Sequence, residues 1–190
     1  MPQGEFPDRA RHAAFARLGL QAEVFPQLGF EGPDTAGLTE LDAAFAHAIY
    51  DAVLRRWFTL EYLVRGCLEG DYPELEPQIK ACLVGGAAQL LLLDRVPLHA
   101  AVNETVNWAK WSTNPRAGGL VNAVLRRLIE AIMKGQTRQL AGAWNGETGA
   151  IPLSDGTSLL IGDAKLPEDS LERLAVATSH PRTLLGTWVQ

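Results

Sequence analysis

A chain of 190 residues, 47% hydrophobic and 21% charged, has enough apolar side chains to bury a full core, so disorder is excluded as its default state and one main globular domain with an appendage is expected. Its 17 Lys and Arg stand against 22 Asp and Glu, a net charge of −5. General binding of polyanions by massed basic residues is therefore excluded, and any nucleic-acid site has to be local.

In chain order, the spacing of Ala13, Ala14, Phe15 and Leu18 predicts a first helix over residues 7–20, with Arg9, Arg11 and Arg17 carrying charge. Residues 25–37 hold Pro26, Gly29, Gly32, Pro33 and Gly37 and read as a loop. Thr39 and Asp42 form a capping pair for a strong helix. Its expected buried stripe is Leu41, Phe45, Ala48, Ile49, Ala52 and Val53, continued by Leu60, Leu63, Val64 and Cys67, with a bend near Phe58-Thr59. Residues 70–73 connect, and Pro77 is placed as the first residue of the next helix, where its missing N–H is no loss.

That helix, to about Leu93, is apolar nearly all round, as a central helix is. Gly85 and Gly86 in its middle read as places where another helix approaches closely. Residues 98–111 give the next helix, and Pro115 with Gly118-Gly119 marks a turn before a helix from Leu120 to Met133 or Gly135. There Val121, Val124, Leu125, Leu128 and Ile132 form one stripe, and Arg126, Arg127 and Glu130 fall outside it. Further on, Asp155-Gly156 between two short apolar runs predicts a β-hairpin. Short helices are expected from Pro167 and from Ser179-His180-Pro181 to Trp188. The expected fold is all-α: a bundle of about six or seven helices with a small C-terminal β-hairpin and linker helices.

The residues for most chemistries are missing. Gly85-Gly86 and Gly118-Gly119 are isolated pairs without the spacing of a phosphate-binding loop. His12, His47, His99 and His180 are scattered, with no metal-ligand spacing. Asp42, Asp51 and Glu61 read as outer-face carboxylates, and Trp57, Trp108 and Trp111 as core or seam residues. Cys67 and Cys82, unpaired in spacing, read as reduced core residues, which favours the cytoplasm. The longest apolar run, 87–93, is far below the roughly 20 residues that cross a membrane. One charge asymmetry stands out: Arg116, Arg126, Arg127, Lys134 and Arg138 are opposed nearby only by Glu130. Arginine forks suit phosphate oxygens, and a solvated helix face has the same composition.

Residues 119–128, Gly-Leu-Val-Asn-Ala-Val-Leu-Arg-Arg-Leu, closely resemble the signature helix of NusB-like domains. The form is that at the N-terminus of RsmB-type small-subunit rRNA cytosine-C5 methyltransferases. Residues 89–106 resemble that family's segment joining the central helix to the next, and Ala52-Val53-Leu54-Arg55 resembles its Gly-Val-Leu-Arg element with Ala52 in place of the glycine. Ser179-His180-Pro181, Leu184-Leu185 and Trp188 look like its linker into the catalytic domain. The first helix matches loosely, and the hairpin looks like an insertion.

The resemblance implies an RNA-binding domain over 1–140, a hairpin insertion over 141–166 and linker helices over 167–190. Its partner would be RNA, small-subunit ribosomal RNA first, with a methyltransferase domain in cis or a small-subunit ribosomal protein beside it. The expected phosphate contacts are Arg116, Arg126 and Arg127, with Arg9 and Arg11 as secondary candidates, and Asn122 is expected to bridge helices. Cys67 and Cys82 lack the family's catalytic setting, and no glycine-rich turn for S-adenosylmethionine is present. No catalysis and no cofactor are expected of this chain; S-adenosylmethionine would belong to an attached catalytic domain. The rival expectations are a free-standing antitermination factor and a helical protein-interaction module.

Overall fold

The computed structural model describes residues 8–29, 31–134 and 138–188. Helix α1 (Arg9–Val24) starts where the Asp8 carboxylate accepts the Arg11 backbone N–H at 2.9 Å. It runs one turn past the expected end and stops at Phe25, the residue before Pro26, whose ring disfavours helical backbone there. Pro7, the expected first residue, lies outside the described residues. The loop after α1 is non-helical as expected and is tied down from both sides: Gly29 N–H donates to the Gln21 side chain, and the Tyr50 hydroxyl donates to the Glu31 carbonyl.

Helix α2 (Glu40–Cys67) begins with the expected cap, Asp42 N–H donating to Thr39 Oγ1 at 3.2 Å. Its buried face is rotated from the expected stripe. Ile49 and Val53 are buried with Ala46, Tyr50, Trp57 and Leu60, but Leu41 is 80% exposed and Ala48 faces solvent. At about 1.5 Å per residue, α2 is far longer than the neighbours covering its middle, so its first turn projects past them. The bend also lies elsewhere: the helix is continuous across Phe58-Thr59 and departs from helical geometry at Arg56 (φ −130°, ψ 21°). The kink frees the Phe58 N–H, which donates to Ser179 Oγ at 3.0 Å.

A 3₁₀ turn (Tyr72–Glu74) leads to α3 (Pro77–Leu92), which has Pro77 in its first turn as expected. It is buried on every side by α1, α2, α4 (Leu98–Ser112) and α5 (Pro115–Met133). Helix α5 corrects the sequence reading at its start. Gly118-Gly119 is no turn; the helix begins at Pro115, with the Asn114 side chain accepting the Ala117 N–H at 3.0 Å. Gly118 sits inside the helix without a side chain where the stem of Lys110 lies across it: an added Cβ there would sit 2.9 Å from Lys110 Cε. The helix ends at Lys134 in left-handed geometry.

The hairpin forms, with a third strand that was not expected. Strands β1 (Leu140–Ala141), β2 (Ala150–Pro152) and β3 (Ser158–Leu160) make an antiparallel sheet in the order β1-β3-β2, with Ile151 opposite Leu159. Gly156 takes φ +86° in the turn, and Asp155 accepts both the N–H and the hydroxyl of Thr157. Ile151, Leu159 and Ile161 are fully buried in the same core as the helices. Helix α6 (Ser170–Thr178) starts three residues later than expected, at the Asp169 cap, and α7 (Arg182–Trp188) follows as expected.

Gly162 locks the sheet against α5. Its φ is +53°, and an added Cβ would press on the Ala131 carbonyl oxygen and sit 2.7 Å from that of Ile132. Gly162→Ala is expected to lower stability by about 2 kcal/mol or more, since left-handed strain and a backbone clash add. The urea midpoint checks this, with Gly142→Ala, where an added Cβ meets nothing within 4 Å, as the control.

Candidate nucleic-acid interface

The α5 stripe Val121, Val124, Leu125, Leu128 and Ile132 is buried, as its helical spacing predicts, so the opposite face is left to solvent. At about 100° and 1.5 Å per residue, Arg116 and Arg127 lie on nearly one line along that face, roughly 16 Å apart. Gly119 and Ala123 fall between them and keep the line low. Arg116 is exposed in the first turn and has no ion pair among the described residues, and Arg126 is exposed with its Nε donating to Asn122 Oδ1 at 3.0 Å. Asn122 therefore fixes Arg126 within α5; the expected bridge between helices is not made.

Folding brings carboxylates to three of the five basic residues that sequence spacing left unopposed. Arg127 Nη2 meets Glu69 at 2.6 Å and its Nη1 donates to the Cys67 carbonyl. Lys134 meets Asp163 at 3.0 Å, and Arg138 meets Asp94 at 2.9 Å. Such exposed pairs contribute about 0–1 kcal/mol, so a phosphate can compete for Arg127. Arg138 is more committed, since it also donates to the Leu91 carbonyl from a largely buried position.

The two α1 arginines differ. Arg9 is exposed at the helix start beside Gly37. Arg11 is 8% exposed and held from within: its Nε donates to Gln89 Oε1 at 2.7 Å, Asp8 lies 3.5 Å away, and its guanidinium stands 4.9 Å over the Phe45 ring. Gln89 in turn donates to the Gly85 carbonyl and to Thr105 Oγ1. Arg11 thus ties α1 to α3 and takes no place on the exposed basic face. Lys110 was missed by the sequence reading; its exposed side chain crosses Gly118 and adds a cation beside the first turn of α5. The close approach of α4 to Gly118 is visible only in three dimensions.

Next to that corner, Trp108 Nε1–H donates to His12 Nδ1 at 3.2 Å, and the His12 ring meets Trp111 edge-on at 5.0 Å. Accepting this bond requires Nδ1 without a proton, and burial lowers the His12 pKa below its ordinary 6.5. Between that lowered value and 6.5 the unfolded chain binds more protons than the folded one. Stability contributed by this site is therefore complete above about pH 6.5 and falls as the pH drops. Urea midpoints at decreasing pH should show the decline, and His12→Gln should flatten it.

The acids and thiols fit no shared reaction. The Asp42 carboxylate accepts the hydroxyl of Thr39, the cap of α2, and Glu61 is half-buried, with desolvation raising its carboxyl pKa against the lowering pull of Arg65 at 3.2 Å. Burial raises the pKa of both thiols, Cys82 from inside the core and Cys67 from a half-buried place near Arg127. Among the described residues no three of His, Cys, Asp or Glu gather as a metal site, and no helix is long and apolar enough to cross a membrane.

Comparison with known proteins adds the family. The profile described as the NusB family matches residues 22–130. A ribosomal RNA small subunit methyltransferase B from Xanthomonas campestris is 43% identical over 86 residues, 45% of this chain and 20% of the relative. The protein of the same name from Thermus thermophilus is 35% identical over 123 residues, 62% of this chain and 30% of the relative. Transcription antitermination protein NusB from Mesorhizobium japonicum is 31% identical over 131 residues, 68% of this chain and 77% of the relative. The chain thus spans a third or less of the length of these methyltransferase relatives.

Proposed function

The chain belongs to the NusB family, and on that premise we propose that it is an RNA-binding domain that positions small-subunit ribosomal RNA for a cytosine-C5 methyltransferase. The observation that carries the reading is the exposed line of α5, where Arg116 and Arg127 flank small residues and Arg126 and Lys110 stand beside them. Guanidinium forks bind phosphate oxygens bidentately, and the positive end of the helix dipole adds to the field at Arg116. Arg9 is the secondary contact, and Arg11, held in the core by Gln89, makes none. The role is binding rather than catalysis, in the cytoplasm. S-adenosylmethionine would be held by a methyltransferase domain acting with this one. In this reading residues 1–140 bind RNA, 141–166 are an insertion and 167–190 link to that domain.

A free-standing antitermination factor working with a small-subunit ribosomal protein is the second reading, favoured by the coverage of the Mesorhizobium relative. Fluorescence anisotropy with helices of small-subunit rRNA and unrelated hairpins of equal length tests the first. A preference of about tenfold or more, the effect of one good recognition contact, is expected for an rRNA helix. Equal binding of all hairpins contradicts the rRNA-positioning role.

A further inference from the structure

The kink of α2 carries a side chain that the RNA face does not use. Arg56 Nε and Nη2 are closed to solvent, and neither has a hydrogen-bond partner among the described residues. Arg56 forms no ion pair among the described residues. A buried polar group left unsatisfied costs about 1–3 kcal/mol, more when charged, and a folded protein rarely keeps one without a use. Burial lowers the guanidinium pKa to about 10, so the group is still a cation at neutral pH.

Arg56 lines a cavity of about 740 Å³ between α2, the end of α3 and the sheet. Its apolar wall includes Ala52, Leu92, Leu140 and Leu153, and its charged groups are Arg55, Asp51, Asp94 and Asp155. Two of these acids are engaged: Asp94 with Arg138 at 2.9 Å, and Asp155 with the N–H and hydroxyl of Thr157. Counting Arg138, three cations face three carboxylates, so the cavity is close to neutral. A dianion such as phosphate gains little there, whereas a single negative charge needs one cation with donors to spare.

The two free donors of Arg56 meet that need once the guanidinium turns, since as folded their edge is closed to solvent. Nε–H and Nη2–H lie along one edge of the planar guanidinium, the edge that pairs side-on with both oxygens of a carboxylate. We propose that this cavity binds a small monocarboxylate with an apolar body, its two oxygens on the Nε/Nη2 edge of Arg56 and its hydrocarbon against Leu92, Leu140 and Leu153. Nε and Nη2 hold no hydrogen bond among the described residues, so turning that edge into the cavity breaks none there. Thr178 and Leu153 share the wall, so an occupied site also fastens the end of α6 and the sheet to α2.

Benzoate tests this on the full chain, with benzamide as the neutral isostere and inorganic phosphate as the dianion. The readout is the NMR resonance of Arg56 Nε–Hε, assigned by its loss in Arg56→Lys. A saturable shift with benzoate is expected, with benzamide and phosphate weaker by about tenfold or more, the difference a charge-assisted bidentate pair makes. Arg56→Met should abolish the benzoate response across the rest of the spectrum and melt no lower than the natural protein, because a desolvated unpaired charge is removed. Arg55→Gln should keep the response. An Arg56 resonance that does not move, equal responses to benzoate and benzamide, or a response that survives Arg56→Met would each overturn the site. If Arg56→Met fails to fold, the comparison of benzoate with benzamide on the natural protein decides.

Discussion

Gly86→Leu is expected to destabilise the protein by about 1–3 kcal/mol, the usual effect of overfilling a packed core. Gly86 lies on the face of α3 where α4 and α5 converge. A Cβ there would sit 2.7 and 3.0 Å from the two Leu125 methyl carbons and 3.2 Å from Thr105 Cγ2. Leucine adds three further carbons to the same space. Leu125 is fully buried, so it has no free volume into which to retreat. For a chain of this size each kcal/mol lowers Tm by about 2–4 °C. Calorimetry checks the value, with Gly119→Ala as the reference: its Cβ meets nothing within 4 Å, and the higher helix propensity of alanine should raise stability by up to about 1 kcal/mol. A Tm for Gly86→Leu at or above that of the natural protein contradicts the packing described for α3.

Reversing the charge of Arg116, Arg126 and Arg127 together, each to Glu, is expected to weaken RNA binding by roughly two orders of magnitude and to leave the fold intact. The three side chains are exposed, and the one ion pair lost, Arg127 with Glu69 at 2.6 Å, contributes at most about 1 kcal/mol. Circular dichroism and Tm should be close to those of the natural protein while anisotropy titrations at fixed salt shift. Arg11→Gln gives the contrasting pattern. Removing that buried guanidinium strips Gln89 of its 2.7 Å donor inside the core, so stability falls by about 1.5–3 kcal/mol while RNA affinity of the folded fraction changes little. If the triple variant binds RNA as the natural protein does, the assignment of α5 is wrong.

Much of the fold could be read from the chain because its signals are local. Pro77 in a first turn, Thr39 with Asp42 at a cap and the glycines inside an apolar helix each have a cause within a few residues. What was misread depended on distant partners. Gly118-Gly119 looks like a turn until Lys110 is laid across it, and the position of the kink at Arg56 goes with a hydrogen bond from Phe58 to Ser179, 121 residues away. A strand as short as Leu140–Ala141 has no alternation to detect. The candidate site divides in the same way. The exposure of Arg126 and Arg127 follows from helical spacing alone, whereas that of Arg116 on the same face depends on the helix starting at Pro115. The burial of Arg11 needed Gln89, 78 residues on, and the acids facing Arg127 and Arg138 stand 58 and 44 residues back in the chain.

The central claim, that a local basic face on an acidic protein binds RNA through its phosphates, is tested most directly by the affinity of the natural protein for an RNA hairpin as a function of salt. With contacts from Arg116, Arg126, Arg127 and Lys110, log K should fall against log salt with a slope of about −3. The Arg116, Arg126 and Arg127 reversal should bring that slope close to zero. A slope near zero for the natural protein, or no measurable binding at low salt, would contradict the claim and favour a module that binds protein.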